Sequence, residues 1–357
     1  MRLAVVGNPG NRRVALFTAA VERAGLPAPE VHPWRDVLLA GTVPGPESTV
    51  RIDSPGEDAE VGRLLRELGS GGPVRAAEHG EITGSADAHA GLARALARIE
   101  AGGGHLLNRP EDILCMSDKP RCHARLAAAG VPVPAALPGP IRDYASLRSA
   151  MHDAGWSRVF VKPSHGSSAS GVVALAAAGS RIAATTSVEL SGGRLFNNLR
   201  VRRYAAEADV AAIVDGLGPD GLHVERWFPK AGLGDRVLDL RVVVIGGEPG
   251  HVVVRTSRSP MTNLHLGNAR GDVAAVRAAA GEAAWSAAMQ TCARAAACFP
   301  DTLQVGVDLM FRVGWRDHAV AEVNAFGDLL PGVLADGRDT YQAQVEALCS
   351  LSRGHHA

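Results

Sequence analysis

Net charge is the first thing this chain lacks. Its 37 lysines and arginines balance 37 aspartates and glutamates, so no overall field draws it to a polyanion, and nucleic acid is not an expected partner. The one basic run, LRVRRY at residues 199–204, has the alternate spacing of a strand's wet face. The five cysteines, Cys115, Cys122, Cys292, Cys298 and Cys349, are odd in number and form no CxxC pair. That disfavours a disulfide framework and a structural zinc site, and points to a reducing compartment. No stretch reaches the roughly 18 uninterrupted apolar residues of a membrane span, and the opening apolar run is too short for a signal peptide. A soluble cytoplasmic protein with no membrane partner is the expectation. Repeats and low-complexity segments are absent, and so are the fingerprints GxGxxG and GK[ST]. The turn GNPG at residues 7–10 suits the first turn of any parallel α/β unit, and no dinucleotide site is predicted from it.

What is present is a 357-residue chain of 46% hydrophobic content, enough for roughly two to three folded units. RLAVV (2–6) reads as a buried strand, followed by an amphipathic helix closed by Gly25. Strand-like STVRIDS and two helical segments carry a small α/β unit to about residue 105. Ser117 or Asp118 can cap a helix with Lys119 in its first turn, stopping at Gly130. A helix (YASLRSAMHDAG), the strand RVFVKPS and three alternating segments predict a sheet as far as residue 204. Beyond LHVERWF come two long strands, an alanine-rich helix, the strands LQVGVDLMF and HAVAEVNAF, and a final helix TYQAQVEALCSL. The tail SRGHHA is expected to be disordered.

Two places carry chemistry. In AEVNAFGDLLPG (321–332), Glu322 and Asn324 alternate along an apolar strand, so both face one side about 7 Å apart. Val320 is expected beside them, with Ala321, Val323 and Ala325 behind. Asp308 lies on the preceding strand, and the short WRDH turn predicts a hairpin that sets the two strands together. Three oxygen donors on adjoining strands form a hard site of the magnesium kind, whereas any one of these acids alone would be an ordinary partnered acid. Second, Lys162 leaves an apolar strand where an unpaired ammonium is costly, and HGSSASG (165–171) can wrap its N–H groups round phosphate oxygens. Alone, that loop would be a flexible hairpin and His165 an ordinary turn histidine.

In order along the chain, SDKP, VFVKP with its glycine and serine loop, the hinge VERWF, DLRVVVIGGEP, NLHLGN, VGVDLM and AEVNAFG resemble the ATP-grasp superfamily, most nearly glutathione synthetase and the ribosomal-protein glutamate ligases. The resemblance covers residues 106 to 332, and the first domain by position. It implies an α/β fold of the α+β ATP-grasp kind: a small pre-ATP-grasp domain (1–105), a small subdomain with Lys162 and the glycine loop (106–220), and a large subdomain with the metal and substrate sites (221–357), the two clasping ATP. Lys119 and Lys162 would contact the phosphates, with Gly166, Ser167, Ser168 and Gly171 closing over them. The hinge Glu225, Arg226, Trp227 and Phe228 would read adenine through its backbone. Asp308, Glu322 and Asn324 would hold two magnesium ions, with Glu322 bridging and manganese as a substitute. Arg241 and Arg255 would face the phosphoryl group and the carboxylate substrate, and Asn263 would line their pocket.

The implied activity is a carboxylate-amine ligase, forming an amide or peptide bond through an acyl phosphate and releasing ADP and phosphate. Its partners would be small-molecule or peptide carboxylates and amines; self-association is left open. The alternatives on this scaffold are a kinase acting on a hydroxyl, or a non-catalytic ATP-binding protein of the synapsin kind. Met261 and Thr262 stand where glutathione synthetases carry an arginine, with Arg258 further away, a departure that falls at the substrate contacts. Lys230 and Asp235 are the two candidates for the ribose. His265 is polar and near the pocket, but a neutral loop histidine does not by itself mark a base.

Overall fold

In the computed structural model, residues 1–166, 169–179 and 181–354 are described. β1 (Arg2–Gly7) turns into α1 (Arg12–Arg23), whose first turn is closed by Asn11 accepting from the Arg13 N–H at 2.9 Å. Val14, Phe17 and Val21 form its buried stripe, and Gly25 follows its end at φ +72°. Next come β2 (Glu30–Pro33), α2 (Trp34–Leu39), β3 (Ser48–Ile52), α3 (Ala59–Ser70), α4 (Ser85–Ala101) and β4 (His105–Leu106). The strands pair in parallel in the order β2-β1-β3-β4. This is the small α/β unit that the alternation of strand and helix predicts.

α5 (Pro110–Ser117) and α6 (Lys119–Ala128) meet at Asp118, whose carboxylate accepts from the Arg121 N–H at 3.0 Å. Of the two possible caps, Asp118 is therefore the one used, and it puts Lys119 at the first helical position. Cys115, Met116, Cys122 and Leu126 of these helices share a core with Val50 and Ile52 of the first sheet and with Val242, Val307 and Val323 from later in the chain.

After α7 (Tyr144–Asp153) come β5 (Arg158–Pro163), β6 (Val173–Ala178), β7 (Arg181–Ser191), β8 (Arg194–Tyr204), α8 (Glu207–Leu217) and β9 (Leu222–Arg226). The second sheet runs β8-β7-β6-β5-β9 and is antiparallel throughout. α8 escapes the sequence reading, although Val210, Ile213, Val214 and Leu217 keep helical spacing and are all buried. In the basic run, Arg200 and Arg203 are exposed on β8 and Arg202 pairs with Glu189.

The third sheet is built from β10 (Gly232–Leu233), β11 (Arg236–Ile245), β12 (Glu248–Ser257), β13 (Ala269–Gly271), β14 (Gln304–Phe311) and β15 (His318–Asn324), in the order β13-β12-β11-β14-β15 with β10 beside β11. The alanine-rich segment is two helices, α9 (Val273–Ala280) and α10 (Glu282–Ala297), because Gly281 at φ +80° breaks it. α11 (Thr340–Gly354) closes the chain and runs further than the sequence pattern suggests; the remaining tail residues lie outside the described residues. Among the described residues no helix is long and apolar enough to cross a membrane.

Candidate functional site

β5 and β9 pair antiparallel, so Lys162 lies opposite His223 and Phe160 opposite Glu225. Glu225 is buried. Its Oε2 lies 2.7 Å from Lys162 Nζ and its Oε1 3.1 Å from His223 Nε2. Burial alone would raise the Glu225 pKa, but the Lys162 ammonium and His223 outweigh it and hold the carboxyl at about 2. The ammonium that looked costly on an apolar strand is thus matched by a buried carboxylate. Lys162 also donates to the Ala321 carbonyl at 3.4 Å, across to the third sheet.

On the other wall Asp308 of β14 pairs with Glu322 of β15, and Gly306 with Asn324. The predicted hairpin forms, but one feature of the alternation does not. The register slips between Asp308 and Leu309, so Leu309 faces Val320 and Ala321 is left as a bulge. Val320 sits in the core, and Ala321 lines the cavity with Glu322. Such bulges re-aim side chains at functional sites. The chain then doubles back tightly: a Cβ on Gly327 would meet Gly306 Cα at 2.7 Å, which requires glycine on both sides.

Asp308 is buried against two guanidinium groups. Arg241, its cross-strand partner on β11, grips both carboxylate oxygens, with Nη2 3.0 Å from Oδ2, and Arg255 Nη2 is 3.2 Å from Oδ2. Burial pushes its pKa up, Arg241 and Arg255 more than offset this, and the carboxylate stays ionised. Arg255 also donates through Nε to Asp239 Oδ1 at 2.7 Å. Glu322 faces Lys119 Nζ at 3.3 Å. Lys119 donates in turn to the Gly166 carbonyl at 2.8 Å, which ties the helix start to the glycine loop.

The sequence-predicted residues converge. Lys119, Lys162, Gly166, Glu225, Arg226, Phe228, Arg255, Asn263, Asp308 and Glu322 line one cavity between the second and third sheets. Arg241, Asn324, Trp227 and Gly171 do not line it. Arg241 stands beside Asp308, and the Asn324 amide nitrogen donates to the Gly306 carbonyl at 3.2 Å. Trp227 packs on Phe160, ring centroids 4.9 Å apart. Within the hinge, the N–H groups of Arg226 and Trp227 are taken by the carbonyls of Ala135 and Arg158, so of the positions expected to read adenine these two donors are already used. Ser167 and Ser168 lie outside the described residues.

Of the two ribose candidates, Lys230 lines the cavity, whereas Asp235 is exposed and ion-paired to Arg258. His265 is exposed. His165 is not an ordinary turn histidine: its ring stacks on His89 of α4 at 4.0 Å, and burial, then His89, lowers its pKa. Cavity residues that the sequence reading passed over include Phe160 and Met310. Each lies two positions from a predicted site residue on the same strand, so strand alternation was a usable signal.

A divalent cation fits the donor chemistry here. Among the described residues no three His, Cys, Asp or Glu side chains converge as a metal cluster, but Asp308, Glu322 and the Asn324 amide are hard oxygen donors on paired strands. Both carboxylates are now compensated by side-chain cations, which would have to yield to a metal ion.

No family model and no curated protein matches the sequence. Solved structures do match in fold. D-cycloserine synthetase DcsG has a TM-score of 0.59 at 16% identity, with 98% of this chain and 99% of that chain covered. The ATP-grasp ligase PsnB, solved with its precursor peptide and AMPPNP, gives 0.52 at 16% identity over 98% of each chain. The D-alanine–D-alanine ligase of Bacillus anthracis gives 0.55 at 11% identity over 100% of each chain. The chain shares the fold of these structures, of which PsnB is an ATP-grasp ligase: a mixed α/β architecture with parallel and antiparallel sheets.

Proposed function

We propose that this chain is an ATP-dependent carboxylate-amine ligase, which activates a carboxylate as an acyl phosphate, joins it to an amine and releases ADP and phosphate. The observation that carries this reading is the convergence of Lys119, Lys162, Arg255, Asp308 and Glu322 on one cavity between two antiparallel sheets. Lys119 and Lys162, cations that match a triphosphate, stand on one wall, and the carboxylates Asp308 and Glu322, which suit a divalent cation, stand with Arg255 on the other. In this reading residues 106–220 and 221–357 clasp the nucleotide and residues 1–105 form the preceding domain.

A carboxylate is a poor electrophile because its charge is delocalised and oxide is not a usable leaving group. Transfer of the γ-phosphoryl group to a carboxylate oxygen supplies one. Lys119 and Lys162 bind the phosphates, and the loop from Gly166 to Gly171 excludes water, so the acyl phosphate meets the amine before solvent. Arg255 stabilises charge on the transferring group and on the tetrahedral intermediate, and Arg241 holds Asp308 in place. Two magnesium ions, held by Asp308, Glu322 and Asn324, would supply neutralisation of the triphosphate charge. No side chain is assigned as general base; the amine enters unprotonated. The substrates are small molecules or peptides, and PsnB, of the same fold, has been seen with a precursor peptide.

The test is ATP turnover with magnesium and hydroxylamine over a panel of amino acids and short peptides. A hydroxamate formed together with ADP is the expected result. A stable phosphoester without hydroxamate would make the protein a kinase. No thermal stabilisation by millimolar ATP, with or without magnesium, would remove the nucleotide assignment altogether.

A further inference from the structure

Arg255 is divided between two buried carboxylates. Its Nε bonds Asp239 Oδ1 at 2.7 Å, and its Nη2 lies 3.2 Å from Asp308 Oδ2. Asp239 is 4% exposed and Arg255 8%. The other Asp239 oxygen accepts from Lys230 Nζ at 3.1 Å and from the Thr262 hydroxyl. Arg255 and Asp239 are direct cross-strand partners on β12 and β11, as Arg241 and Asp308 are on β11 and β14. The result is a row of alternating charge, Lys230, Asp239, Arg255, Asp308 and Arg241, of which all but Arg241 line the cavity.

This row is already compensated. A divalent cation arriving at Asp308 adds charge beside Arg255, so one guanidinium contact to Asp308 must be given up. A buried guanidinium that loses its partner is costly unless a second partner retains it. Arg241 also holds the Gly327 carbonyl at 3.3 Å behind Asp308 and is tied to the backbone. Arg255 lines the cavity and already has its second partner.

We propose that Asp239 is a positioning residue: it keeps Arg255 paired while the arginine exchanges Asp308 for the phosphoryl group of the nucleotide, and so lets a divalent cation take Asp308. This rests on the assignment of Asp308 as a metal ligand. Without Asp239 the loaded state loses the carboxylate that still holds Arg255, whereas the unloaded state keeps Asp308. Metal binding should therefore weaken. Removing Arg255 itself removes the competitor for Asp308, and metal binding should tighten.

The probe is Mn2+, followed by the resonance of the free ion, with a saturating non-hydrolysable ATP analogue, on wild type, Asp239→Asn, Asp239→Glu and Arg255→Gln. Asp239→Asn should bind Mn2+ about tenfold more weakly per folded molecule, the size expected for one charge-assisted hydrogen bond. Asp239→Glu should recover part of that loss, and Arg255→Gln should bind more tightly than wild type. A purely structural Asp239 would lower the melting temperature and leave Mn2+ affinity unchanged, which would overturn the proposal. Should Asp239→Asn fail to fold, Arg255→Gln decides: unchanged or weaker affinity refutes the exchange. Wild type that binds the analogue but no Mn2+ would refute the metal assignment itself, and the inference with it.

Discussion

Asp308 and Glu322 face one another directly across the β14–β15 hairpin, and the bulge at Ala321 beside them turns Glu322 into the cavity. The two carboxylates share no cation: Asp308 is held by Arg241 and Arg255, and Glu322 by Lys119. The pair therefore joins the third sheet to the helix and glycine loop on the opposite wall.

Glu322→Gln keeps the side chain's size and removes its charge. The side chain is 30% exposed, so its pair with Lys119 adds little to stability. The variant should melt near wild type, retain ATP binding, and lose phosphoryl transfer by about a hundredfold or more, since metal stabilisation is worth several kcal/mol. Asn324→Asp should keep activity with an altered magnesium dependence. Melting temperature and ADP release on the same preparations check both; a destabilised but fully active Glu322→Gln would refute the metal role.

Lys162→Ala leaves Glu225 buried with His223 alone. Breaking a buried pair on one side costs about 3–5 kcal/mol, so urea denaturation should show a large loss, and ATP affinity should fall. Replacing Glu225 by Ala as well should restore stability in part but not ATP affinity. A double variant that binds ATP like wild type would show that Lys162 serves only the fold.

Acid should weaken the protein through the same cluster. Glu225 titrates at about 2 when folded, against about 4.3 in an unfolded chain. Its contribution is complete above the unfolded value and is lost as pH falls toward 2, about 3 kcal/mol in all. His223, lowered mainly by burial, acts with the same sign from about 6.5 downward. Urea midpoints of wild type and Glu225→Gln from pH 7 to 3 should converge on acidification; parallel curves would contradict the assignment.

Gly171 ends the glycine loop at φ +74°, and a Cβ there would lie 2.6 Å from Pro163 Cγ and 3.1 Å from Leu217 Cδ2. Gly171→Ala should cost about 1–3 kcal/mol and raise the KM for ATP more than it lowers kcat. Unchanged thermal melting and KM would show that the loop conformation is not needed.

Local patterns carried much of this protein. The strand at VFVKP, the hairpin holding Asp308 and Glu322, and the helix that starts at Lys119 follow from alternation, a short turn and a capping aspartate, which act over a few residues. Gly281 broke a helix that alanine content alone would have continued, and α8 was hidden by Val and Ile that suit a strand equally well. What no local pattern contained was partner choice. That Glu225 takes Lys162, that Arg255 stands between Asp239 and Asp308, and that His89 stacks on His165 depends on strand order and on packing between sheets far apart in the chain. The Ala321 bulge belongs to the same class, because it arises from the register of two strands, and neither strand's own sequence marks it. Residue type and spacing therefore determined which side chains could form a site, while the pairing of the sheets decided which charges compensate which, since charges buried away from water must be matched by whatever the fold brings within a few ångströms.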